Sequence, residues 1–209
     1  FTADTFEQVT AADPTQIIAV NQAVDARTKG SLEEIAPTTV KPKGYEDWRV
    51  PWEKQVETIA DAVGKENEGD KLIDDTEKAF EEFRHEHAEL QDKSAAIVMP
   101  YDGKIGLYTE EDGRGQFIEN LGMEIPDALQ GDGGSFFVDI APENYAKLNQ
   151  VDYLFVLDYN GSSDALKKDK TFQGLDIVKE GRVRYLDTDT GNAMSMPNPV
   201  TIPWAIDKF

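Results

Sequence analysis

The sequence predicts an α/β chain in two unequal parts joined by one long helix. Three observations carry that prediction. Short apolar runs with a β-branched or aromatic bias alternate with helical stripes, a helix–turn–strand segment of the first part is echoed in the second, and one long amphipathic stretch lies between the echoes.

The echo comes first in chain order. Residues 7–20, EQVTAADPTQIIAV, lie in register without a gap against residues 143–156, ENYAKLNQVDYLFV. Each segment reads as a short helix, a polar turn and a buried strand, the form a strand takes when both faces of a parallel sheet are covered. A true repeat and a recurrent βα unit both account for it. Next, Trp52, Val56, Ile59, Ala60 and Val63 share one helical face, and Gly64 follows where a left-handed cap belongs. From Leu72 a second stripe runs through Ile73, Thr76, Ala79, Phe80, Phe83, His87 and Leu90. A helix of about twenty residues spans roughly 30 Å, enough for a strut between two lobes.

Beyond the strut, Ala95 to Met99 reads as a strand, Tyr101 to Lys104 as a turn and Ile105 to Tyr108 as a further extended piece. Arg114 to Leu121 reads as a helix stopped by Gly122. The Gly-rich loop Gln130-Gly131-Asp132-Gly133-Gly134 lacks the Lys-Ser/Thr ending and the helix start of a phosphate-binding loop, so phosphate is not expected there. It leads to Phe136-Phe137-Val138 and the second echo. Gly181 to Leu186 reads as a strand, Gly191 to Pro199 as a Met/Asn/Pro loop, and Thr201 to Phe209 as the start of a helix. The expected divisions are a first lobe over 1–70, an interlobe helix over 71–92 and a second lobe over 93–209.

Bulk composition narrows the function. With 209 residues the chain can bury a substantial core, and its net charge of −20 argues against nucleic-acid partners, which are bound by clustered basic faces. There is no cysteine, hence no disulfide and no thiolate metal site. No apolar run approaches the ~18 residues of a membrane span. The chain opens at Phe1-Thr2-Ala3-Asp4 without an initiator Met, so a segment upstream is expected. His85 and His87, two apart on a helix, point about 200° away from each other and do not form a metal-gripping pair. No nucleophile elbow or carboxylate dyad stands out, and with 41 acidic residues some will be neighbours by chance. An enzyme is the weakest of the function classes.

Four phrases, in order, carry a family resemblance. Glu7-Gln8-Val9 through Pro14-Thr15-Gln16-Ile17-Ile18 resembles an E-x-I-x-x-L-x-P-D-L-I-I passage, with Pro14-Thr15-Gln16 in place of Pro-Asp-Leu. Leu32-Glu33-Glu34-Ile35-Ala36-Pro37-Thr38 resembles L-x-x-I-A-P-T/V. Trp52 through Gly64-Lys65 resembles W-x-x-x-x-x-x-I-A-x-A-L-G-K, with Val63 for Leu. Phe172 through Val183 resembles W-x-x-L-x-A-V-K-x-G-R-V. The family is that of the helical-backbone substrate-binding proteins of ABC importers, which capture iron–siderophore complexes or cobalamin. Its usual opening strand–helix unit, around P-x-R-V-V, has no counterpart here, so the first lobe is expected to be incomplete.

The resemblance implies two Rossmann-like, three-layer βα lobes joined by a long helix, and a ferric siderophore held in the cleft between them with its iron kept by the chelator. It implies no chemistry, no cofactor, a monomer, and modest lobe motion. It further implies an extracytoplasmic place, periplasmic or as a lipoprotein on the outer face of the cell membrane, and an ABC permease as partner. Glu7 and Glu143, the aligned first residues of the echo, match the family's acidic permease-docking positions, and both also read as helix-start carboxylates favoured by the helix dipole. A bulky siderophore calls for aromatic walls and a few cations. Candidates from the first part are Asn21 with Gln22, Tyr45, Trp48 and Arg49. From the second they are Lys104, Tyr108, Arg114, Tyr159, Asn160, Met194 and Met196, with Tyr108, Arg114 and Tyr159 favoured because resemblance and strand-end position agree there. Trp48 and Tyr108 also fit as core or loop anchors, each Arg as a carboxylate's partner, and the two Met as core cover. Cobalamin, haem or another metal chelate suits the same architecture, and a non-transport α/β interaction domain is the alternative from a different class.

Overall fold

The structure is a computed structural model that describes residues 2–131 and 134–209. Phe1, with which the chain opens, and Asp132 and Gly133 of the Gly-rich loop lie outside the described residues. The chain divides into two compact units, Phe1–Asp74 and Asp75–Phe209.

In the first unit, α1 (Ala3–Ala11) is started by a capping box in which Thr2 and Thr5 each accept the other's backbone N–H. Strand β1 (Ile17–Ala19) follows, then α2 (Ala26–Glu33), whose N-cap Asp25 accepts from the Thr28 N–H at 2.7 Å, then β2 (Thr38–Val40). β1 and β2 pair in parallel, Ile17 against Thr38. The predicted Trp52 helix is α3 (Trp52–Val63), ended by Gly64 at φ +66°. α4 (Glu66–Glu86) begins two residues later, and a Cβ on Gly69 would stand 2.5 Å from the Cβ of Ala60, so glycine is what lets the two helices approach so closely there.

α4 carries the chain from one unit into the other. Its helix stops sooner than the apolar stripe suggests. His87 leaves helical geometry at φ −117°, and Ala88–Leu90 form a separate 3-10 turn. β3 (Ala95–Tyr101) and β4 (Lys104–Tyr108) then make a hairpin through Asp102 and Gly103, both at positive φ, the two-residue geometry that matches strand twist. After α5 (Gly113–Asn120) and a 3-10 turn at Asp127–Leu129 comes β5 (Phe137–Ile140), then a 3-10 run at Pro142–Gln150 and β6 (Tyr153–Asp158). Three one-turn helices, α6 (Ser163–Leu166), α7 (Lys170–Gln173) and α8 (Asp176–Lys179), lead to β7 (Val183–Asp187), α9 (Thr188–Ser195) and α10 (Thr201–Ile206).

The five-stranded sheet has the order β5-β4-β3-β6-β7, with β3, β6 and β7 parallel and β4 antiparallel to both its neighbours, β3 and β5. Alternation along the strands sends Ala96, Val98, Ile105, Leu107, Leu154 and Val156 to one face, where Tyr145, Leu148, Leu166, Phe172 and Ile177 cover them. The opposite face carries Ile97, Met99, Tyr108 and Phe155. Over it Phe155, Phe209, Phe117 and Phe80 form a chain of ring contacts with centroids 5.0–5.6 Å apart. Helices on both faces make this unit the three-layer α/β arrangement that the resemblance implies.

The echo holds in register and loosens in detail. β1 begins at Ile17 and β6 at Tyr153, which are aligned positions, but the helical part is α in the first copy and 3-10 in the second, where Pro142 leads. Nor is β1 a fully buried strand. Among the described residues it pairs only with β2, and Ile18 stays 40 % exposed whereas its counterpart Leu154 is fully buried. The loop expected over Gly191–Pro199 is helical up to Ser195, because Asp187 caps α9 by accepting the Thr190 N–H at 2.8 Å.

Candidate functional site

Tyr108 at the end of β4, Arg114 in the first turn of α5 and Tyr159 just past β6 come together on the second face of the sheet. β4 ends at Tyr108, a short loop follows, and Asp112 caps α5 by accepting the Arg114 N–H at 2.9 Å. The same carboxylate holds Arg114 Nη1 at 2.9 and 3.0 Å from its two oxygens. The guanidinium lies 4.1 Å from the centroid of the Tyr108 ring, within cation–π range, and the Tyr108 hydroxyl donates to Met99 Sδ at 3.6 Å. Close seating of α5 on the end of β4 sets this geometry. Gly115 permits it, since a Cβ there would come 2.0 Å from the Thr109 carbonyl oxygen.

Tyr159, one residue past β6, completes the group. Its hydroxyl faces α9, where a Cβ on Gly191 would lie 2.8 Å away. α9 in turn abuts the start of α5, with Pro197 and the Met194 and Ser195 carbonyls against Gly113. The side chains of Arg114 and Asp112 are only 16 % and 14 % exposed. Burial pushes the Asp112 carboxyl up against the pull of Arg114, and pushes the Tyr108 phenol up as well. Burial also works to lower the Arg114 guanidinium, but the charge of Asp112, helped by Tyr108 and Tyr159, outweighs it and the net direction is upward. Tyr159 is close enough to act on Arg114 in this way, yet neither its hydroxyl nor Arg114 Nε meets hydrogen-bond geometry with any partner among the described residues, although both atoms are buried.

The hairpin end of the same face carries a second group. Tyr101 and Lys104 both donate to Asp139, and the Lys104 ammonium lies 4.9 Å from the Tyr101 ring centroid. The Tyr101 ring rests on Gly106, where a Cβ would meet its edge at 3.0 Å. Hydrogen bonding by Asp139 raises both Tyr101 and Lys104, and that of Lys104 and Tyr101 holds the carboxyl of Asp139 below its ordinary value.

The remaining sequence candidates are placed as follows. Asn21 accepts the Val50 N–H at 3.3 Å, Tyr45 and Arg49 are half-buried, and Trp48 is 49 % exposed with φ +65°; all four belong to the first unit. Asn160, at φ +52°, donates its N–H to Thr188 Oγ1 at 3.1 Å. Met194 is fully buried and offers a ligand no surface, which is the core-cover role weighed from the sequence; Met196 is 52 % exposed and lines a surface cavity of about 360 Å³ with Asp189, Asn192 and Trp204. Glu7 and Glu143 are exposed. The sequence singled out Tyr108, Arg114 and Tyr159 but missed Asp112, Met99, Tyr101 and Asp139. For Asp112 a signal existed, an Asp at the N-cap two residues before the Arg. For Tyr101 and Asp139 there was none, since only strand pairing brings them together. Among the described residues no group of three or more His, Asp or Glu is arranged to hold a metal ion, and no helix is long and apolar enough to cross a membrane.

Residues 2–190 match the family described as periplasmic binding protein. The chain belongs to that family. Among curated protein sequences none matches this periplasmic binding protein. Solved structures do. The iron uptake ABC transporter substrate-binding protein PiaA from Streptococcus pneumoniae TIGR4 is 26 % identical, with TM-score 0.80 over 97 % of this chain and 71 % of its own. PiaA in complex with ferrichrome gives 25 % identity and TM-score 0.80 over 97 % of this chain and 70 % of its own. A periplasmic solute binding protein from Mycobacterium smegmatis has TM-score 0.84 at 24 % identity, over 97 % of this chain and 69 % of its own, a likeness of fold. This periplasmic binding protein is therefore a relative, at low identity, of substrate-binding proteins of iron-uptake ABC importers.

Proposed function

We propose that this protein is the extracytoplasmic substrate-binding component of an ABC importer, that it captures a ferric siderophore against the Tyr108–Arg114–Tyr159 wall, and that it delivers the complex to a membrane permease. One observation carries the reading. Arg114 Nε and the Tyr159 hydroxyl are buried without partners inside an aromatic wall at strand ends. A buried polar group left unsatisfied costs about 1–3 kcal/mol, a cost that an acceptor oxygen on a bound molecule can offset. Strand-end crevices of α/β sheets are where such folds hold ligands. The likeness to PiaA, whose structure is known with ferrichrome, supports the ligand class. Glu7 and Glu143, exposed on their helical turns, are the permease-docking carboxylates of this proposal.

Tryptophan-fluorescence titration tests it, using ferric hydroxamate, catecholate and citrate complexes with cobalamin and haem as comparisons and with correction for ligand absorption. Saturable quenching by a ferric siderophore below micromolar concentration, weakened about tenfold or more in Arg114→Met, is the expected result. Saturation by cobalamin or haem alone would transfer the site to that ligand. Silence with every compound would reject the transport role.

A further inference from the structure

The turn between β6 and α6 carries a reactive pair of residues that capture of a ligand does not use. We propose that Asn160-Gly161 is a site of spontaneous deamidation, at which Asn160 is converted to aspartate and isoaspartate with water as the co-reactant. The proposal stands whatever this protein binds. The backbone nitrogen of Gly161 attacks Cγ of Asn160. One C–N bond forms there, the side-chain amide C–N bond breaks, and the Gly161 N–H proton leaves with the amide nitrogen as ammonia. The cyclic imide then takes up one water. Opening at the side-chain carbonyl gives aspartate, and opening at the main-chain carbonyl gives isoaspartate.

The local structure leaves each step of this path open. Attack on Cγ is hindered wherever the following residue bears a side chain, and every other Asn of the chain precedes such a residue. Gly161 has none, and the nearest atom to a Cβ built on it is Asp164 Oδ2 at 3.9 Å, so the peptide has room to rotate. Asn160 and Gly161 have φ +52° and +85° and are the central residues of a turn closed by the Ser162 N–H on the Tyr159 carbonyl at 3.1 Å. That bond does not engage the nucleophile. The Gly161 carbonyl accepts from the Asp164 N–H at 3.0 Å, but among the described residues nothing accepts the Gly161 N–H. Asn160 is held through its backbone N–H, by Thr188 Oγ1 at 3.1 Å, and its side-chain amide has no hydrogen bond among the described residues. Both residues are exposed, so water reaches the imide. Nucleophile and electrophile are thus adjacent in the chain and neither is committed elsewhere.

The products alter the turn in two ways. Each adds a negative charge beside Asp164, in a chain already at −20. Isoaspartate also routes the main chain through Cγ and so lengthens it by one methylene, between the end of β6 and the start of α6. Thr188 joins this turn to the start of α9, because its hydroxyl accepts the Asn160 N–H and donates to the Asp158 carbonyl at 3.1 Å. A longer backbone at Asn160 pulls on that link. The modification is one-way and marks the age of the molecule.

The test is incubation of the folded protein in neutral buffer at physiological temperature, with trypsin digestion and tandem mass spectrometry of samples taken over time. Cleavage after Lys147 and Lys167 releases residues 148–167, which hold both Asn160 and Asn149. Asn149 serves as an internal control, since its Oδ1 accepts the Ile177 N–H at 3.1 Å and Gln150 follows it. The expected result is a gain of one mass unit placed at Asn160, with aspartate and isoaspartate forms resolved, at least about tenfold faster than at Asn149. A synthetic peptide of residues 148–167 sets the rate without the fold, and the folded protein should lie within about tenfold of it. Gly161→Ala should slow conversion about tenfold or more; because alanine is strained at positive φ, its fold is checked by circular dichroism, and Asn160→Gln, which leaves Gly161 in place, should abolish the mass gain. Protection of Asn160 in the folded protein while the peptide converts overturns the proposal. Conversion of Asn149 at an equal rate, or a mass gain that persists in Asn160→Gln, overturns the assignment of the site.

Discussion

Replacing Gly115 by alanine puts the seating of α5 to a quantitative test. The new Cβ would lie 2.0 Å from the Thr109 carbonyl oxygen and 2.6 Å from its carbon, whereas ordinary contact begins near 3.4 Å. The obstacle is backbone, and it is itself tied down. Thr109 donates its N–H to the Phe136 carbonyl at 3.2 Å and its hydroxyl to the Ser135 carbonyl at 2.6 Å. The helix must therefore back away by more than about 1 Å, an overpacking cost of about 1–3 kcal/mol. Better helix propensity returns roughly 0.5–1 kcal/mol. The net loss is about 1–2 kcal/mol, or a melting temperature lower by about 2–8 °C for a chain of this size. The same substitution at Gly30, in α2 with nothing within 4 Å of its would-be Cβ, meets no obstacle and should raise the melting temperature by about 1–4 °C. Thermal unfolding followed by circular dichroism reads both. Gly115→Ala melting at or above the unaltered protein would refute the claim that this glycine seats α5, and with it the account of how Arg114 is placed.

Tyr159→Phe removes a buried hydroxyl that has no hydrogen-bond partner, so stability should hold or rise by about 1 kcal/mol while siderophore affinity falls several-fold; a large loss of stability in a denaturant melt would show that the hydroxyl is already satisfied. Phe172→Ala empties the core where Phe172 meets Tyr145 edge-on at 6.1 Å, and urea unfolding should record a loss of about 3–5 kcal/mol. Asp25, Asp152 and Asp187 are held below 3.8 by hydrogen bonds from Thr28, Ser94 and Thr190, Asp158 by Ser163 and Lys167, and Asp139 by Lys104 and Tyr101. A lowered folded-state value means stability that is present above pH 3.8 and lost as pH falls through the lowered values, so melting temperature should drop as pH is taken below about 4 and Asp187→Asn should make that drop shallower. A melting temperature independent of pH in that range would contradict these caps.

Most element positions were legible in the sequence because they follow from local periodicity and caps. Trp52 to Val63 with Gly64 behind it, the Asp102-Gly103 turn between two apolar runs, and the two echoed strands starting at Ile17 and Tyr153 all follow from side-chain spacing and φ preference, which act over a few residues. Where prediction missed, a cap or a break in backbone geometry had overridden the apolar pattern. The helix of α4 stops at Glu86 although apolar residues continue to Leu90, and α9 runs through a Met/Asn stretch that lacks a strong helix pattern because Asp187 caps it.

The amino-acid sequence by itself determined an acidic, cysteine-free α/β chain and its order of elements, since composition and period are local properties, while Tyr108, Arg114 and Tyr159 were favoured as ligand-wall candidates where family resemblance and strand-end position agree. Only the tertiary structure decided that these three meet, that Arg114 is cancelled by Asp112, that Lys104 is claimed by Asp139 on the adjacent strand β5, and that Met194 is sealed in the core while Met196 is not. Charge compensation and burial are pairwise and distance-dependent, and distances between residues far apart in sequence exist only once the sheet has set its register.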